Sequence, residues 1–336
     1  MAEKQLGLQT LVFGRPPRII GSATIAGPKE RDGNLGDYID ALLTDSMMGE
    51  FTPEKAERKM LYQAAQDALA KTTLTEDDMD YFIGGDLLNQ IISSSFCARD
   101  LGIPFIGIYG ACSSMVEGLG LGALMIDGQY ADAILVATSS HYQASERQFR
   151  YPVELNVQHK GTNQWTVTGA AAAVLSNQGE GPKITHATFG RVIDFGIKSP
   201  DIMGAAMAPA ANDTLCRHFQ DTNSSPGDYD LILTGDLGNM GQQLFVDLAK
   251  EAGYTLGTKH KDVGASIYKP HQRTGAGGSG CACVALGIMG YVIKEMCQGR
   301  YRRVLALATG ALFSPLSYQQ GESIGGIAHA VVIDNN

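Results

Sequence analysis

The chain has 336 residues, more than one hydrophobic core usually serves, so two domains or two closely packed halves are expected. An apolar share of 44% with 18% charged residues is that of a soluble globular protein and argues against disorder. The net charge of −9, with no basic run, argues against nucleic-acid binding.

Six cysteines (Cys97, Cys112, Cys216, Cys281, Cys283, Cys297) lie mostly in apolar contexts and show no metal spacing with histidine. They read as free thiols in a reducing compartment, with no metal site and no resident cofactor expected. Met1 to Gln5 lacks the charged-then-apolar pattern of a signal peptide. The uncharged run Thr274–Ile293 begins as a glycine-rich loop, which leaves too little helix to cross a bilayer.

In chain order, residues 1–18 read as an irregular arm and 18–26 as a strand closed by Gly27-Pro28. Residues 29–52 read as a surface excursion. Pro53 opens a helix over 54–71 with Ala56, Met60, Ala64, Ala65 and Ala68 on one face. A short strand over 80–83 leads to a helix over 91–101. A strand over 103–109 then turns into a helix that carries Met115, Leu119, Gly122, Ala123 and Ile126 at helical spacing. Residues 133–138 form a wholly apolar strand. The connection from His141 to Trp165 holds Glu146, Arg147, Arg150 and His159, and a connection this long is usually functional. A small-residue strand over 167–175 closes the first half.

The second half repeats the first. Asp86 matches Asp236 and Asn89 matches Asn239, both at an offset of 150. Cys112 matches Cys283 and Thr138 matches Thr309, both at an offset of 171, with the extra residues between Gly257 and Ser279. Two α/β units, 1–178 and 179–336, are the expected organisation, with the turns at Cys112 and Cys283 related by a pseudo-twofold.

Cys112 falls where a strand meets a helix N-terminus. The free N–H groups and the helix dipole there favour a thiolate, a carboxylate or an oxyanion. The alternative is a buried small residue, since free cysteine is among the most buried types. Asp236 is either a helix N-cap or a group of the same site. His141, His260, His271 and His329 are the remaining possible bases, each equally readable as a satisfied buried or surface histidine. Arg147 and Arg150 suit bidentate carboxylate recognition or an ordinary surface.

A tandem βαβαβ duplication with cysteine at the first strand-to-helix turn resembles the thiolase superfamily, which includes the β-ketoacyl synthases. Within it the chain is similar to the stage V sporulation protein AD family of spore-forming bacteria. The runs that carry this resemblance include Gly85-Asp86-Leu87-Leu88-Asn89-Gln90, Ala137-Thr138-Ser139-Ser140-His141, Glu146-Arg147-Gln148-Phe149-Arg150 and Gly277-Gly278-Ser279-Gly280-Cys281-Ala282-Cys283.

The resemblance implies an α/β fold of five layers, α-β-α-β-α. It implies a peripheral protein of the inner spore membrane that binds dipicolinic acid (pyridine-2,6-dicarboxylate). Such a protein would act with other proteins of the stage V sporulation A operon in loading that compound as its calcium chelate, and in germination. A homodimer paired through 133–138 is also implied.

Condensing enzymes of the superfamily need a thiolate, a histidine in the second half and a further histidine or asparagine. Cys112 matches the nucleophile. Asp236 stands at the histidine position, and Gly277-Gly278-Ser279-Gly280 holds no amide. The expectation is therefore a pocket without the reaction. Its ligand groups would be Cys112, Ser113, Ser114, Asp236, Arg150, Arg147, His141 and His329. Asp236 would suppress the Cys112 thiolate, and beside the dianion it would either be protonated or meet a calcium ion carried by the ligand. The competing readings are a Cys112-dependent acyltransferase or thioesterase of the β-ketoacyl synthase type, and a scaffold with a vestigial pocket.

Overall fold

The computed structural model describes residues 3–149 and 160–335. Two five-stranded sheets share one topology. The first is built from β1 (Arg18–Ala26), β2 (Tyr81–Gly85), β3 (Phe105–Gly107), β4 (Ala133–Ser140) and β5 (Gly169–Ser176), in the order β1-β5-β4-β2-β3. The second is built from β6 (Lys183–Phe189), β7 (Leu231–Gly235), β8 (His260–Asp262), β9 (Arg303–Leu312) and β10 (Gly325–Asp334), in the order β6-β10-β9-β7-β8. In each sheet four strands run in one direction, and β5 in the first and β10 in the second run against them. The sheets touch edge to edge through the pairing of Lys183 with Arg18.

Helices fill the remaining layers. The sequence dictates α1 (Pro53–Leu69) locally: the Thr52 side chain caps it, Pro53 presets the first turn, and Met60, Leu61, Ala64, Ala65 and Ala68 bury one face. That face packs on the outer side of the first sheet with α2 (Ile92–Leu101). On the outer side of the second sheet lie α5 (Met203–Thr222) and α6 (Gly238–Glu251). Between the sheets run α3 (Ser114–Asp127) and the helix that starts as α7 (Cys281–Leu286). The latter widens into a π segment over Gly287–Val292 and ends as α8 (Ile293–Cys297). Five layers, α-β-α-β-α, result. The core between the sheets is apolar throughout, and each buried Leu, Ile, Val or Met there contributes roughly 1.5–3 kcal/mol. Within the connection after β4 a helix forms, α4 (Tyr142–Phe149).

The internal repeat carries a one-residue correction. Tyr81 pairs with Ile134 as Leu231 pairs with Val304, so the second offset is 170 rather than 171. Ile134, Val136, Val304 and Ala306 all face the central layer, whereas Leu135 and Leu305 face outward. Because side chains alternate along a strand, an alignment slipped by one residue exchanges the two faces.

Pairing through β4 is also corrected as a route to a dimer. β4 is bonded on both flanks, to β2 and β5. The open edges are β3 and β8, so a second copy adding to a sheet would meet one of those. No helix among the described residues is long and apolar enough to cross a membrane.

Candidate functional site

The site begins with the turn that follows β3. Ala111 takes a left-handed conformation (φ 49°), uncommon for a residue with a Cβ, and Ala111–Ser113 closes as a 3-10 turn before α3 begins at Ser114. The N–H groups of Ser113 and Ser114 donate to the carbonyls of Gly110 and Ala111. Their hydroxyls do the same, at 2.7 and 2.8 Å, and Ser114 Oγ also accepts from Gly110 N–H at 3.1 Å. Ser113 and Ser114 are fully buried. The N–H groups expected to be free for a ligand are thus spent inside the turn.

Cys112 is the member of this turn that looks outward, 7% exposed into a cleft. The cleft has a cavity volume of about 40 Å3. Leu87, Tyr109, Ser145, Glu146, Phe149 and Thr166 of the first half line it, with Met203, Ser279, Ala311 and Phe313 of the second. Phe149 and Phe313 touch each other in its wall, ring centres 5.6 Å apart at 49°. Behind Cys112 lies Cys281, fully buried, whose thiol donates to Ala111 O at 3.0 Å. Leu87, Tyr109, Phe149 and Phe313 also wall a wider groove that runs on past Gln90, Ile91 and Ser317.

Asp236 is placed elsewhere. It follows β7 at φ 71°, wholly buried, and is not among the groups lining the cleft. Neither carboxylate oxygen reaches a partner at full hydrogen-bond geometry, although the Cys283 thiol and the Gly280 N–H lie closest. Burial, then the Asp262 carboxylate, push its pKa well above the ordinary carboxylate value. The thiol it faces is Cys283, not Cys112. Both expectations placed on Asp236, suppression of the Cys112 thiolate and a calcium contact in the cleft, lose their geometry.

The N-cap-like role of Asp86 passes to Asp262 in the second half. Asp86 accepts from Leu88 N–H, Ser94 N–H and Ser94 Oγ at 2.8–2.9 Å. Asp262 accepts from Gly238 N–H, Ala265 N–H and Thr234 Oγ1 over the same range.

The other candidates divide. His141 is buried at the start of α4, its Nε2 3.2 Å from Ser46 O and its Nδ1 accepting from Gln143 N–H. His329 on β10 accepts from Gly190 N–H at 3.2 Å and packs on Phe189, and burial lowers its pKa to about 4. His260 bonds Thr234 Oγ1 at 2.8 Å, and His271 is exposed. None of these four lines the cleft. Arg147 is exposed, 3.3 Å from Glu54. Arg150 lies outside the described residues. Among the described residues no group of three or more His, Cys, Asp or Glu could hold a metal ion.

Sequence reasoning missed Ser145, Phe149, Thr166, Ser279 and Phe313. Their chain neighbours gave a signal, since the long connection after β4 and the glycine-rich run before Cys281 both stood out. A hydroxyl or phenyl group inside such a run has no spacing that marks it.

Solved structures with the same arrangement place the chain in a class. OleA of Xanthomonas campestris (the E117Q form) matches at a TM-score of 0.62 and 15% identity, over 96% of this chain and 99% of that one. The 3-oxoacyl-[acyl-carrier-protein] synthase III of Aquifex aeolicus VF5 matches at 0.58 and 15%, over 95% and 99%. Two duplicated sheets around paired central helices, with cysteine at the turn into the first, define a thiolase-like protein. The family model for stage V sporulation protein AD matches residues 7–334, and the stage V sporulation protein AD of Bacillus subtilis (strain 168) is 46% identical over 331 residues, 98% of each chain. This chain belongs to the stage V sporulation protein AD family.

Proposed function

We propose that this chain binds dipicolinic acid in the cleft at Cys112, without catalysing its turnover. It does so as a peripheral protein of the inner spore membrane, in company with other proteins of the stage V sporulation A operon. The observation that carries the reading is the composition of the cleft. Family membership supplies the sporulation context, and the fold supplies a condensing-enzyme pocket. The cleft wall brings an aromatic pair and several hydroxyls to Cys112 but no histidine among its described lining. Condensation requires a base or an oxyanion donor beside the thiol, and Asp236, at the expected histidine position, is buried beside Cys283 instead. A planar ring with carboxylates suits a cleft with an apolar aromatic wall edged by hydroxyls. Calcium accompanies the ligand as its chelate. Glu146 lines the cleft, so a chelated cation would meet a carboxylate there.

Calorimetric titration with dipicolinate, in calcium and in EDTA, tests this. Saturable binding is expected, tighter with calcium. No heat in either buffer overturns the binding reading, and equal affinities overturn the role of calcium.

The same pocket carries the enzymatic alternative, because Cys112 opens onto it. Incubation with acetyl-CoA followed by mass spectrometry is expected to leave Cys112 unmodified; an acylated Cys112 would establish the acyltransferase reading.

Thiol labelling supplies a further expected result. Exposed Cys297 and half-buried Cys216 should react with iodoacetamide first, Cys112 more slowly, and fully buried Cys97, Cys281 and Cys283 not at all in the folded protein. Saturating dipicolinate should slow Cys112 at least tenfold and leave Cys297 unchanged. An unaltered Cys112 rate would place the ligand elsewhere.

A further inference from the structure

Ser145 and Phe149 stand four residues apart on α4, and so on one face of that helix. Both line the cleft. Ser145 is only 3% exposed, and its hydroxyl has no hydrogen-bond partner. A buried hydroxyl left unbonded costs about 1–3 kcal/mol, so a pocket retains one where something else is to bond it. One turn further along, Phe149 meets Phe313 from the opposite half, ring centres 5.6 Å apart at 49°, so that the two rings touch and form one apolar wall of the cleft.

The geometry points to a recognition element for a planar aromatic carboxylate, built on α4 and closed by the second half of the chain. Ser145 Oγ donates to a carboxylate oxygen of the ligand, and Phe149 with Phe313 holds the ring. This rests on the binding reading above and assigns its specificity to residues that carry no charge. A neutral donor and two phenyl rings distinguish ring and carboxylate together from a carboxylate alone, which a cation would take without regard to the ring. Because Phe313 follows β9 and Phe149 ends α4, the element is complete only when both halves are packed.

The test is titration of dipicolinate against the full chain and four variants, each checked for an unchanged thermal midpoint. Ser145→Ala and Ser145→Cys, which remove the strong donor, should bind roughly tenfold more weakly. Ser145→Thr, which keeps a hydroxyl, should recover most of that loss, a rescue that a purely structural role would not produce. Phe149→Leu should weaken binding several-fold, and should weaken acetate, tried as a ringless competitor, not at all. Ser145→Ala with unaltered affinity overturns this element and leaves the binding reading standing. An unmutated chain that does not bind dipicolinate overturns both. Should Ser145→Ala lose its fold, the Ser145→Cys and Ser145→Thr pair decides by the same contrast.

Discussion

Gly310→Ala should lower the melting temperature by about 5–10 °C and weaken dipicolinate binding at least tenfold. A Cβ at Gly310, in the middle of β9, would sit 2.2 Å from Gly110 O and 3.3 Å from both Ala111 Cβ and Cys112 N. None of these is the free end of a flexible side chain. Gly110 O already takes the Ser113 N–H and the Ser113 hydroxyl, and Cys112 N belongs to the tight turn itself. The turn cannot recede either, because Cys281 and α3 lie behind it. Backbone would have to move, and overpacking of this kind costs about 3 kcal/mol. The affected atoms carry Cys112, so binding should fall along with stability. Gly161→Ala is the control, since a Cβ there meets nothing within 4 Å. A Gly310→Ala protein with unaltered melting and unaltered Cys112 labelling would show that β9 does not press on the turn.

His218→Gln should flatten the acid limb of the stability curve by several kcal/mol. His218 is buried on α5, with Nδ1 2.7 Å from Thr188 Oγ1 and Nε2 2.7 Å from the Tyr229 hydroxyl. Burial first, then the His186 and Arg303 charges, lower its pKa from 6.5 to about 3. The native imidazole is neutral, while the unfolded one takes up a proton below pH 6.5. Its contribution is therefore fully present above pH 6.5 and is lost progressively as the pH falls toward 3. The total is about 5 kcal/mol by linkage.

Buried acids act in the opposite sense. The pKa values of Glu30, Glu57, Asp86, Asp236 and Asp262 are raised chiefly by burial. What they contribute is present at low pH and lost as pH rises through their folded values. The histidine therefore shows in the difference between variant and parent. Urea unfolding at pH 7 and pH 4 measures it. Equal differences at the two pH values would show that the imidazole is not held neutral.

The histidine also anchors what looked like an irregular arm. Thr188 Oγ1 reaches on to Thr10 Oγ1 at 2.9 Å, and Asp221, one turn further along α5, accepts from the N–H groups of Leu8, Gln9 and Thr10. Nothing in the local pattern of residues 1–18 marks this, because its partners lie about two hundred positions away.

What the sequence determined by itself is the set of properties that depend on period and local chemistry. The apolar face of α1, the run of β4, the duplication and the turn at Cys112 all follow from residues within reach of one another along the chain. The family resemblance in those runs fixed the class of protein. Tertiary structure decided the rest, wherever a neighbour is supplied from far away. It set the repeat offset at 170, because strand pairing and not residue identity fixes which face a side chain takes. It sent Asp236 to Cys283 and left Cys112 to a cleft of hydroxyls and phenyl rings. It also spent the N–H groups of Ser113 and Ser114 on their own turn. A carboxylate or an N–H in a sequence carries only the capacity to bond. Which partner satisfies it is settled when the two halves close, since a buried polar group takes whichever partner packing puts within reach.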